Sequence, residues 1–294
     1  MNQKVTRNAY AKVNLVLDVL SERPDGYHDV RMVMQNLDLY DTLEFELLPG
    51  EAASPAEAEI TLETNSDRIP TDGKNLIIKA ARLMYETYGL KQSMKIKLEK
   101  RIPVEAGMAG GSTDAAAAFH AINELFSLHL STEELMDLGV KIGADVPFCI
   151  YAKTALAEGI GEKLTPVASL PDCHILVAKP PVTLSTKEIY TNLSLEGLEH
   201  PDVDGMVDAL AAGDLSAVAG KLANVLETVS VKVYREIEAI KSTMMICHAA
   251  GSIMTGSGPT VFGLFESEEY AMQAYESIKK QGIAETLVVT KPRR

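Results

Sequence analysis

Residues 103–118 read Pro-Val-Glu-Ala-Gly-Met-Ala-Gly-Gly-Ser-Thr-Asp-Ala-Ala-Ala-Ala, so that three glycines precede a Ser-Thr-Asp segment and a run of alanines. The alternation of Met94–Leu98 predicts a strand before this stretch, and the alanines predict a helix that ends near Leu128. Glycines at such a junction let the backbone approach a bulky anion, and the first helical turn offers unpaired N–H groups and a positive dipole end. The stretch therefore predicts a phosphate-binding loop, and an ordinary turn with Ser112 or Thr113 as helix N-cap is the alternative.

Several familiar site motifs are absent from the sequence. The loop has no lysine for a Walker A motif, and Gly107, Gly110 and Gly111 do not form G-x-G-x-x-G. There is no G-x-S-x-G for an esterase elbow. The sequence contains no H-x-H or H-E-x-x-H among its histidines, which disfavours a zinc centre built by His120, His129, His174, His200 and His248.

Composition sets the broad class of the protein. The chain has 294 residues, of which 46% are hydrophobic and 23% charged, as expected for a globular protein with about two domains. With 28 Lys and Arg against 41 Asp and Glu, the net charge is −13, which disfavours a general nucleic-acid binder. A locally basic pocket for a small phosphorylated ligand is compatible with this charge.

Targeting signals are not evident. The three cysteines are odd in number and show no C-x-x-C spacing, which favours a reducing compartment. No stretch approaches the ~18 apolar residues of a membrane span, and the N-terminus lacks an apolar signal-peptide core. We therefore expect a cytoplasmic protein that does not associate with membranes.

The patterning along the chain predicts alternating strands and helices. Residues 10–20 alternate as in a strand, the turn 23–26 follows, and a second apolar run covers 30–39, which together predict a hairpin or meander. Leu48–Glu59 is expected to be a solvated loop. Further predicted elements are helices over 76–88, 132–142 and much of 204–245, a hairpin at 157–163, a strand at 174–178, and a final strand, glycine turn, strand, helix and strand. We expect two domains, residues 1–160 and 161–294, with the seam at about 155–180.

Lys12 and Asn14 share the polar face of the first predicted strand, about 7 Å apart along it. A lysine buried there requires a partner, because a lone buried ammonium is costly. The alternative is an exposed strand face on which Lys12 is solvated.

Asp145 lies in Gly143-Ala-Asp-Val-Pro147, after a predicted helix and before an apolar stretch. A carboxylate in such a place suits a partly buried general base, and a simple turn residue is the alternative.

Two short segments offer ligand contacts. Thr255-Gly-Ser-Gly-Pro-Thr260 brings flexible backbone against a ligand or forms a hairpin turn. Asp25-Gly-Tyr-His28 places Tyr27 and His28 in a turn, where the tyrosine either contacts a ligand or packs on the sheet edge.

Taken in order, these segments resemble the GHMP family of small-molecule kinases, and the resemblance spans nearly the whole chain. The segments that show the resemblance are the first strand with the Asp25–His28 turn, the central loop, the Asp145 segment and the last glycine turn. The resemblance implies an α+β fold of two domains, with an N-terminal half like ribosomal protein S5 domain 2 and a ferredoxin-like C-terminal half that meet at a cleft.

The A-K-x-N-L, D-G-Y-H and G-A-D-V-P-F segments are similar to one branch of the family. That branch uses ATP with Mg²⁺ to phosphorylate the 2-hydroxyl of a cytidine diphosphate-linked methylerythritol on the non-mevalonate route to isoprenoid precursors. The resemblance implies no nucleic-acid or membrane partner and a monomer or weak homodimer. A homoserine kinase-like enzyme and a non-catalytic nucleotide-binding sensor are the alternatives.

The resemblance also assigns roles to residues. It implies that Asp145 takes the proton of the attacking hydroxyl, with Lys12 as its charged partner. The place of Ser112 at the start of the predicted helix makes it the candidate residue near Mg²⁺, and helix capping is the alternative role. The implied ATP-binding residues are Pro103, Val104, Glu105, Ala106, Gly107, Met108, Ala109, Gly110, Gly111, Ser112 and Thr113. The implied substrate-binding residues are Asn14, Tyr27, His28, Thr186, Gly256 and Ser257, with Tyr27 stacking on cytosine.

The sequence departs from the family pattern in a few places. Met108 replaces a usual leucine and Thr113 a common serine, and both keep size or hydroxyl. No aromatic residue occurs at Leu184–Thr186, where some relatives complete a cytosine sandwich, and Tyr190 is the nearest candidate. The net charge of −13 disfavours an RNA-binding module of the S5 type. The basic cluster Lys291–Arg294 does not favour RNA binding either, because it is expected to be a solvated end.

Overall fold

The protein, represented by a computed structural model, is described here over residues 3–294 and contains both strands and helices. Its strands are β1 (Lys4–Glu22), β2 (His28–Glu51), β3 (Ile60–Thr64), β4 (Gln92–Glu99), β5 (Ala155–Gly159), β6 (Lys163–Pro166), β7 (His174–Lys179), β8 (Ala223–Asn224), β9 (Gly251–Met254), β10 (Val261–Phe265) and β11 (Thr286–Thr290). Its helices are α1 (Leu76–Tyr88), α2 (Gly110–Leu125), α3 (Thr132–Gly139), α4 (Val146–Tyr151), α5 (Thr186–Thr191), α6 (Val203–Ala212), α7 (Leu215–Ala219), α8 (Glu227–Val233), α9 (Arg235–Ile246) and α10 (Glu268–Gln281). The α+β fold class is confirmed.

The chain divides into two compact units that interleave along the sequence. Unit 1 comprises Met1–Ala11, Tyr40–Val104 and Ala109–Ala152, and unit 2 comprises Lys12–Leu39, Glu105–Met108 and Lys153–Arg294. Strands β1 and β2 each contribute residues to both units. The expected domain boundary at residue 160 stays a prediction.

Unit 1 contains antiparallel and parallel strand pairs, together with helices that pack on one another. Strand β4 pairs antiparallel with the second half of β2 and parallel with β3. The alternation of Leu43, Phe45 and Leu47 turns apolar side chains to one side of β2, where they are buried. Helix α1 packs against α2, and α2 packs against α4. The alanines of α2 allow this close packing, and Ala115–Ala118 are all buried.

Unit 2 contains two sets of paired strands. The first half of β2 pairs antiparallel with β5, β5 forms a hairpin with β6, and β8 pairs parallel with β1 at Val16 and Leu17. A separate four-stranded antiparallel sheet has the order β11-β7-β10-β9, and helices α9 and α10 pack on it. The predicted order of strand, glycine turn, strand, helix and strand at residues 251–290 is confirmed.

The helix boundaries follow the capping residues of the sequence. Asn75 accepts a hydrogen bond from the Ile77 N–H at the start of α1, and Gly89 ends that helix with φ +67°. Ser131 forms a capping box with Glu134 at the start of α3. The predicted helix over 76–88 is therefore confirmed with both of its end signals.

Three local expectations are wrong. Strand β2 continues to Glu51, so the solvated loop expected from Leu48 begins later. Helix α3 ends at Gly139 rather than Ile142, because the chain turns there with the Lys141 N–H bonded to the Leu138 carbonyl. The basic tail is not a solvated end: the Asp38 N–H donates to the Lys291 carbonyl at 2.9 Å, and Leu37 forms a bridge with Pro292.

A helix that crosses a lipid bilayer needs about 20 mostly apolar residues. Among the residues described, none of the helices is both long enough and apolar enough to span a lipid bilayer.

Candidate active site

Lys12 and Asn14 form a buried polar pair on β1 in unit 2. Their side chains point to the same side of the strand, and the Lys12 Nζ donates a hydrogen bond to the Asn14 Oδ1 at 2.7 Å. Lys12 is only 3% exposed and Asn14 1%. The alternative of a solvated strand face is therefore wrong, since an ammonium is held here away from bulk water with an acceptor beside it.

The glycine turn after β9 is attached to this pair. The Asn14 N–H donates to the Thr255 Oγ1 at 3.0 Å, and the Thr255 hydroxyl lies 3.3 Å from the Asn14 Oδ1. Asn14 Nδ2 also contacts the sulfur of Met32 at 3.1 Å. Thr255 was not among the expected site residues, although it opens the Thr255–Thr260 motif. Asn14 is thus fixed from several sides, and its orientation is set before any ligand binds.

The central loop meets the glycine turn through backbone atoms. The Lys12 N–H donates to the Met108 carbonyl at 3.2 Å. Gly107 has φ +67°, and a Cβ there would overlap the Thr255 carbonyl oxygen and lie 3.2 Å from the Gly258 oxygen. A Cβ on Gly256, which has φ +58°, would lie 2.8 Å from the Gly107 oxygen. Only glycine at these positions allows the two segments to approach this closely.

We expect Gly107→Ala to lower the free energy of unfolding by about 2–4 kcal/mol, because it adds both an unfavourable positive φ and an overlap with backbone. Urea unfolding followed by circular dichroism measures the effect. Gly73→Ala is the matched control, since nothing lies within 4 Å of a Cβ at that position. Equal stability of the two variants would contradict the close backbone approach.

Aromatic side chains gather at the turn between β1 and β2 in unit 2. Tyr27 is 53% exposed, and its N–H donates to the Asp25 Oδ1 at 3.1 Å. The His28 ring lies 5.0 Å from the Tyr190 ring, centroid to centroid. Tyr190 on α5, which the sequence offered only as the nearest aromatic candidate, is therefore placed beside one of the expected substrate residues.

Helix α5 also reaches the glycine turn. The hydroxyls of Thr186 and Ser257 lie 2.8 Å apart within hydrogen-bond distance. Unit 2 thus brings together Lys12, Asn14, Gly107, Met108, Thr186, Gly256 and Ser257 through direct contacts or a shared neighbour.

The start of α2 in unit 1 is open to an anion. Helix α2 begins at Gly110, and the residue before it, Ala109, has φ +57° and no side-chain cap. Ser112 and Thr113 lie inside the helix, so the alternative in which either of them is the N-cap is wrong. Gly111 is exposed and Ser112 partly so. The first-turn amides and the positive helix end can therefore receive phosphate oxygens.

A buried ionic cluster lies under that helix start. Lys100 Nζ donates to Asp41 Oδ2 and, at 3.0 Å, to Asp114 Oδ2. The three side chains are at most 7% exposed. Burial raises the pKa of Asp114 to about 8, in spite of the opposing effect of Lys100. The two carboxylates raise the pKa of Lys100 against the effect of burial. This cluster was not predicted from the sequence, because its members are up to 73 positions apart with no shared motif.

Asp145 immediately precedes α4 in unit 1. It is partly buried, has φ −80° and ψ −13°, and does not use its carboxylate to cap the helix. Val146, Pro147 and Phe148 after it are buried, which fixes the backbone that carries the carboxylate. A carboxylate held on a rigid element in this way is a suitable acceptor for a proton.

Comparison with known proteins defines the class. The chain belongs to the GHMP kinases: residues 75–153 match the GHMP kinases N terminal domain and residues 206–284 match GHMP kinases C terminal. It is therefore an ATP-dependent small-molecule kinase, and the resemblance that the sequence motifs indicated is confirmed.

Individual relatives and solved structures are similar to this chain over nearly its whole length. The chain is 47% identical over 276 residues to 4-diphosphocytidyl-2-C-methyl-D-erythritol kinase from Lachnoclostridium phytofermentans, which covers 94% of this chain and 92% of that protein. A crystal structure of 4-(cytidine 5'-diphospho)-2C-methyl-D-erythritol kinase matches with a TM-score of 0.81 at 30% identity, covering 99% of this chain and 100% of the other. Homoserine kinase from Cytophaga hutchinsonii matches with a TM-score of 0.80 at 20% identity, covering 100% and 96%, which shows a shared fold alone.

Proposed function

We propose that this chain transfers the γ-phosphoryl group of ATP to the 2-hydroxyl of 4-diphosphocytidyl-2-C-methyl-D-erythritol, giving ADP and the 2-phosphate. The observation that carries the proposal is the 47% identity, over 94% of the chain, with a relative named as the kinase of that alcohol. The fold by itself does not select the substrate, because homoserine kinase shares it at a TM-score of 0.80. The product would feed the non-mevalonate route to isoprenoid precursors.

The proposed nucleotide site is the segment Pro103–Thr113. The uncapped first turn of α2 and the glycines before it support this assignment, because they offer backbone N–H groups to phosphate oxygens. Mg²⁺ bound with ATP would neutralise negative charge on the phosphates. Across residues 3–294 no group of three or more His, Cys, Asp or Glu could hold a metal ion. Ser112, partly exposed in the first turn, is the residue we propose for contact with the ion, which usually keeps several waters and phosphate ligands.

The proposed chemistry at the hydroxyl uses two charged side chains. Asp145 would accept the hydroxyl proton as the oxygen attacks the γ-phosphorus, and its rigid, partly buried position before α4 supports this role. Lys12 would stabilise negative charge at the reacting oxygens, and its burial beside Asn14 supports this role because a desolvated ammonium acts strongly. Phosphoryl transfer needs mainly alignment and charge stabilisation from the protein.

The proposed cytidine site uses the residues around the β1–β2 turn. The exposed ring of Tyr27 is available to stack on cytosine, and His28 would hydrogen-bond the edge of the base. Tyr190 beside His28 is the aromatic residue available to face Tyr27 across the base. Asn14, Thr186, Gly256 and Ser257 would contact the rest of the substrate. A monomer or weak homodimer, with no nucleic-acid partner, stays a prediction.

A substrate panel tests the proposal. We expect ADP formation with 4-diphosphocytidyl-2-C-methyl-D-erythritol in a coupled assay and background rates with homoserine and mevalonate, and phosphorus NMR should identify the 2-phosphate. A higher kcat/KM with homoserine would establish the homoserine kinase-like alternative instead. ATP binding without turnover of any alcohol would identify a nucleotide-binding sensor and overturn the proposal.

A further inference from the structure

We propose that Asn224 is a positioning residue for the substrate alcohol, because its side-chain amide fixes the backbone of the turn Thr255–Thr260. This turn holds Asn14 and Thr186, so the inference rests on the proposed function, in which both residues contact the alcohol. Asn224 belongs to β8, an element that none of the sites proposed above includes.

Asn224 is attached to the strand that carries Asn14. Strand β8 pairs parallel with β1, where Asn224 is the partner of Leu17, and the Val225 N–H donates to the Leu17 carbonyl at 3.1 Å. Asn224 is buried. The backbone that carries its amide is therefore fixed to β1 only three residues beyond Asn14.

The side-chain amide of Asn224 bonds the turn at two points. Its Nδ2 donates to the Met254 carbonyl and to the Gly256 carbonyl, both at 2.8 Å. Its Oδ1 accepts from the Leu226 N–H at 3.0 Å. An amide nitrogen has two protons, one for each carbonyl, and the amide oxygen faces a donor. These partners therefore select a single orientation of the side chain.

Glu227 supports the same part of the chain. Its Oε1 accepts from the Met254 N–H at 2.8 Å, and its Oε2 lies 2.8 Å from the Lys241 Nζ in an ion pair. The Met254 N–H is thus bonded by Glu227, and the Met254 carbonyl is bonded by Asn224. The segment from β8 to the start of α8 consequently holds the backbone on which the turn begins.

The turn depends on such support because it is rich in glycine. Gly256 has φ +58° and Gly258 has φ +85°, and glycine loses more conformational freedom on folding than any other residue. The Gly256 carbonyl belongs to the peptide group that leads into Ser257, and the Met254 carbonyl belongs to the one that leads into Thr255. Asn224 therefore bonds the two peptide groups that directly precede these hydroxyl residues.

Those two hydroxyls contact the residues proposed to bind the alcohol. The Thr255 Oγ1 accepts from the Asn14 N–H at 3.0 Å, and the Ser257 and Thr186 hydroxyls lie 2.8 Å apart. Hydrogen bonds weaken steeply when their distance or angle departs from the preferred range. A shift of either peptide group therefore changes the orientation of a proposed substrate contact.

A purely local role for Asn224 would need only part of this geometry. The bond from its Oδ1 to the Leu226 N–H spans two residues, as in an ordinary Asx turn. The bonds from its Nδ2 span 30 and 32 positions and contribute nothing to that local turn. The donating half of the amide is therefore the part that serves the site.

Steady-state kinetics of Asn224→Asp in the full chain test the proposal. Aspartate keeps the shape of the side chain and the acceptor for the Leu226 N–H, but it turns an oxygen toward the two carbonyls. We expect the KM for the alcohol to rise about five- to thirtyfold, the effect of losing one to two hydrogen bonds. The amides proposed for the phosphates of ATP belong to α2, so the KM for ATP should stay close to the wild-type value.

Asn224→Ala is the milder second variant, because it introduces no charge. It should raise the KM for the alcohol about three- to tenfold. Asn123→Ala is the matched control, since the Asn123 amide also donates to and accepts from backbone, in both cases at Leu130 and at 3.0 Å. The control should lose stability in urea and keep the wild-type KM for both substrates.

Hydrogen exchange measured by mass spectrometry gives a readout that needs no substrate. Amides of residues 254–260 should exchange faster in Asn224→Ala than in the wild type, and those in Asn123→Ala should exchange at the wild-type rate. Unchanged exchange in Asn224→Ala would show that its amide does not fix the turn, and would overturn the proposal.

The kinetics separate this inference from the proposed function. If the wild type phosphorylates a different alcohol, the KM comparison uses that alcohol, and the proposed function fails while the role of Asn224 stands. An unchanged KM in both Asn224 variants would overturn the inference. Loss of activity that only follows the folded fraction, or failure of both variants to fold, would identify Asn224 as structural and overturn it equally. A wild type that turned over no alcohol would overturn both.

Discussion

Asp145→Asn is expected to lower kcat about 10²- to 10⁴-fold, the contribution of a positioned general base. The amide keeps the shape of the side chain and removes its ability to accept the hydroxyl proton. ATP affinity should stay at the wild-type value, because the carboxylate acts on the alcohol. Steady-state kinetics with the cytidine diphosphate-linked alcohol and calorimetric ATP titration measure the two quantities.

The control for this substitution is Asp137→Asn, an exposed aspartate on α3 in the same unit. It should leave both kcat and ATP affinity unchanged. Normal turnover by Asp145→Asn would remove Asp145 from the proposed mechanism, while loss of ATP affinity would indicate that the residue serves the nucleotide site instead.

Lys12→Met is expected to lower kcat about 10²- to 10³-fold, the usual cost of losing one group that stabilises charge in the transition state. Methionine has a similar length, and it removes the cost of holding an ammonium away from water beside the neutral Asn14 amide. Asn14 keeps its contact with Thr255. The variant should therefore unfold at the wild-type urea concentration or above it.

Lys4→Met on the same strand is the comparison, since Lys4 is 52% exposed. It should retain full activity. If Lys12→Met lost activity only in proportion to a loss of folded protein, the ammonium would be structural and the proposed role in catalysis would be wrong.

The secondary structure could be predicted well where local chemistry decides it. Asn75 and Gly89 mark the ends of α1, and the alternation along β1 gives its strand. The same alternation could not show whether its polar face is solvated. Residues Val13–Val19 are buried on both faces, and on the polar side Thr255 of the glycine turn, 241 positions away, contacts Asn14.

The candidate site was predictable as a set of segments and less so as a set of contacts. The loop, the Asp145 segment and the glycine turn each stand out through composition. The alternative in which Ser112 or Thr113 caps α2 is wrong because the helix begins earlier, at Gly110. Ala109 before it adopts a positive φ, which side-chain preferences do not indicate for alanine. Two features join residues that are distant in sequence: the hydrogen bond between Thr255 and Asn14, and the Lys100 cluster. Neither composition nor spacing therefore reveals them.

The pairing of β2 with the tail has a consequence for biosynthesis. Gln35 Nε2 donates to the Arg293 carbonyl 258 positions later, and the Arg293 N–H donates to the Asn36 carbonyl. At 5–20 residues per second, a ribosome needs roughly 13–52 s to supply those partners. During that time the nascent chain carries an incomplete strand edge, the kind of surface that aggregates or recruits chaperones. The yield of active kinase in a cell therefore depends on how well that edge is protected until translation reaches residue 293.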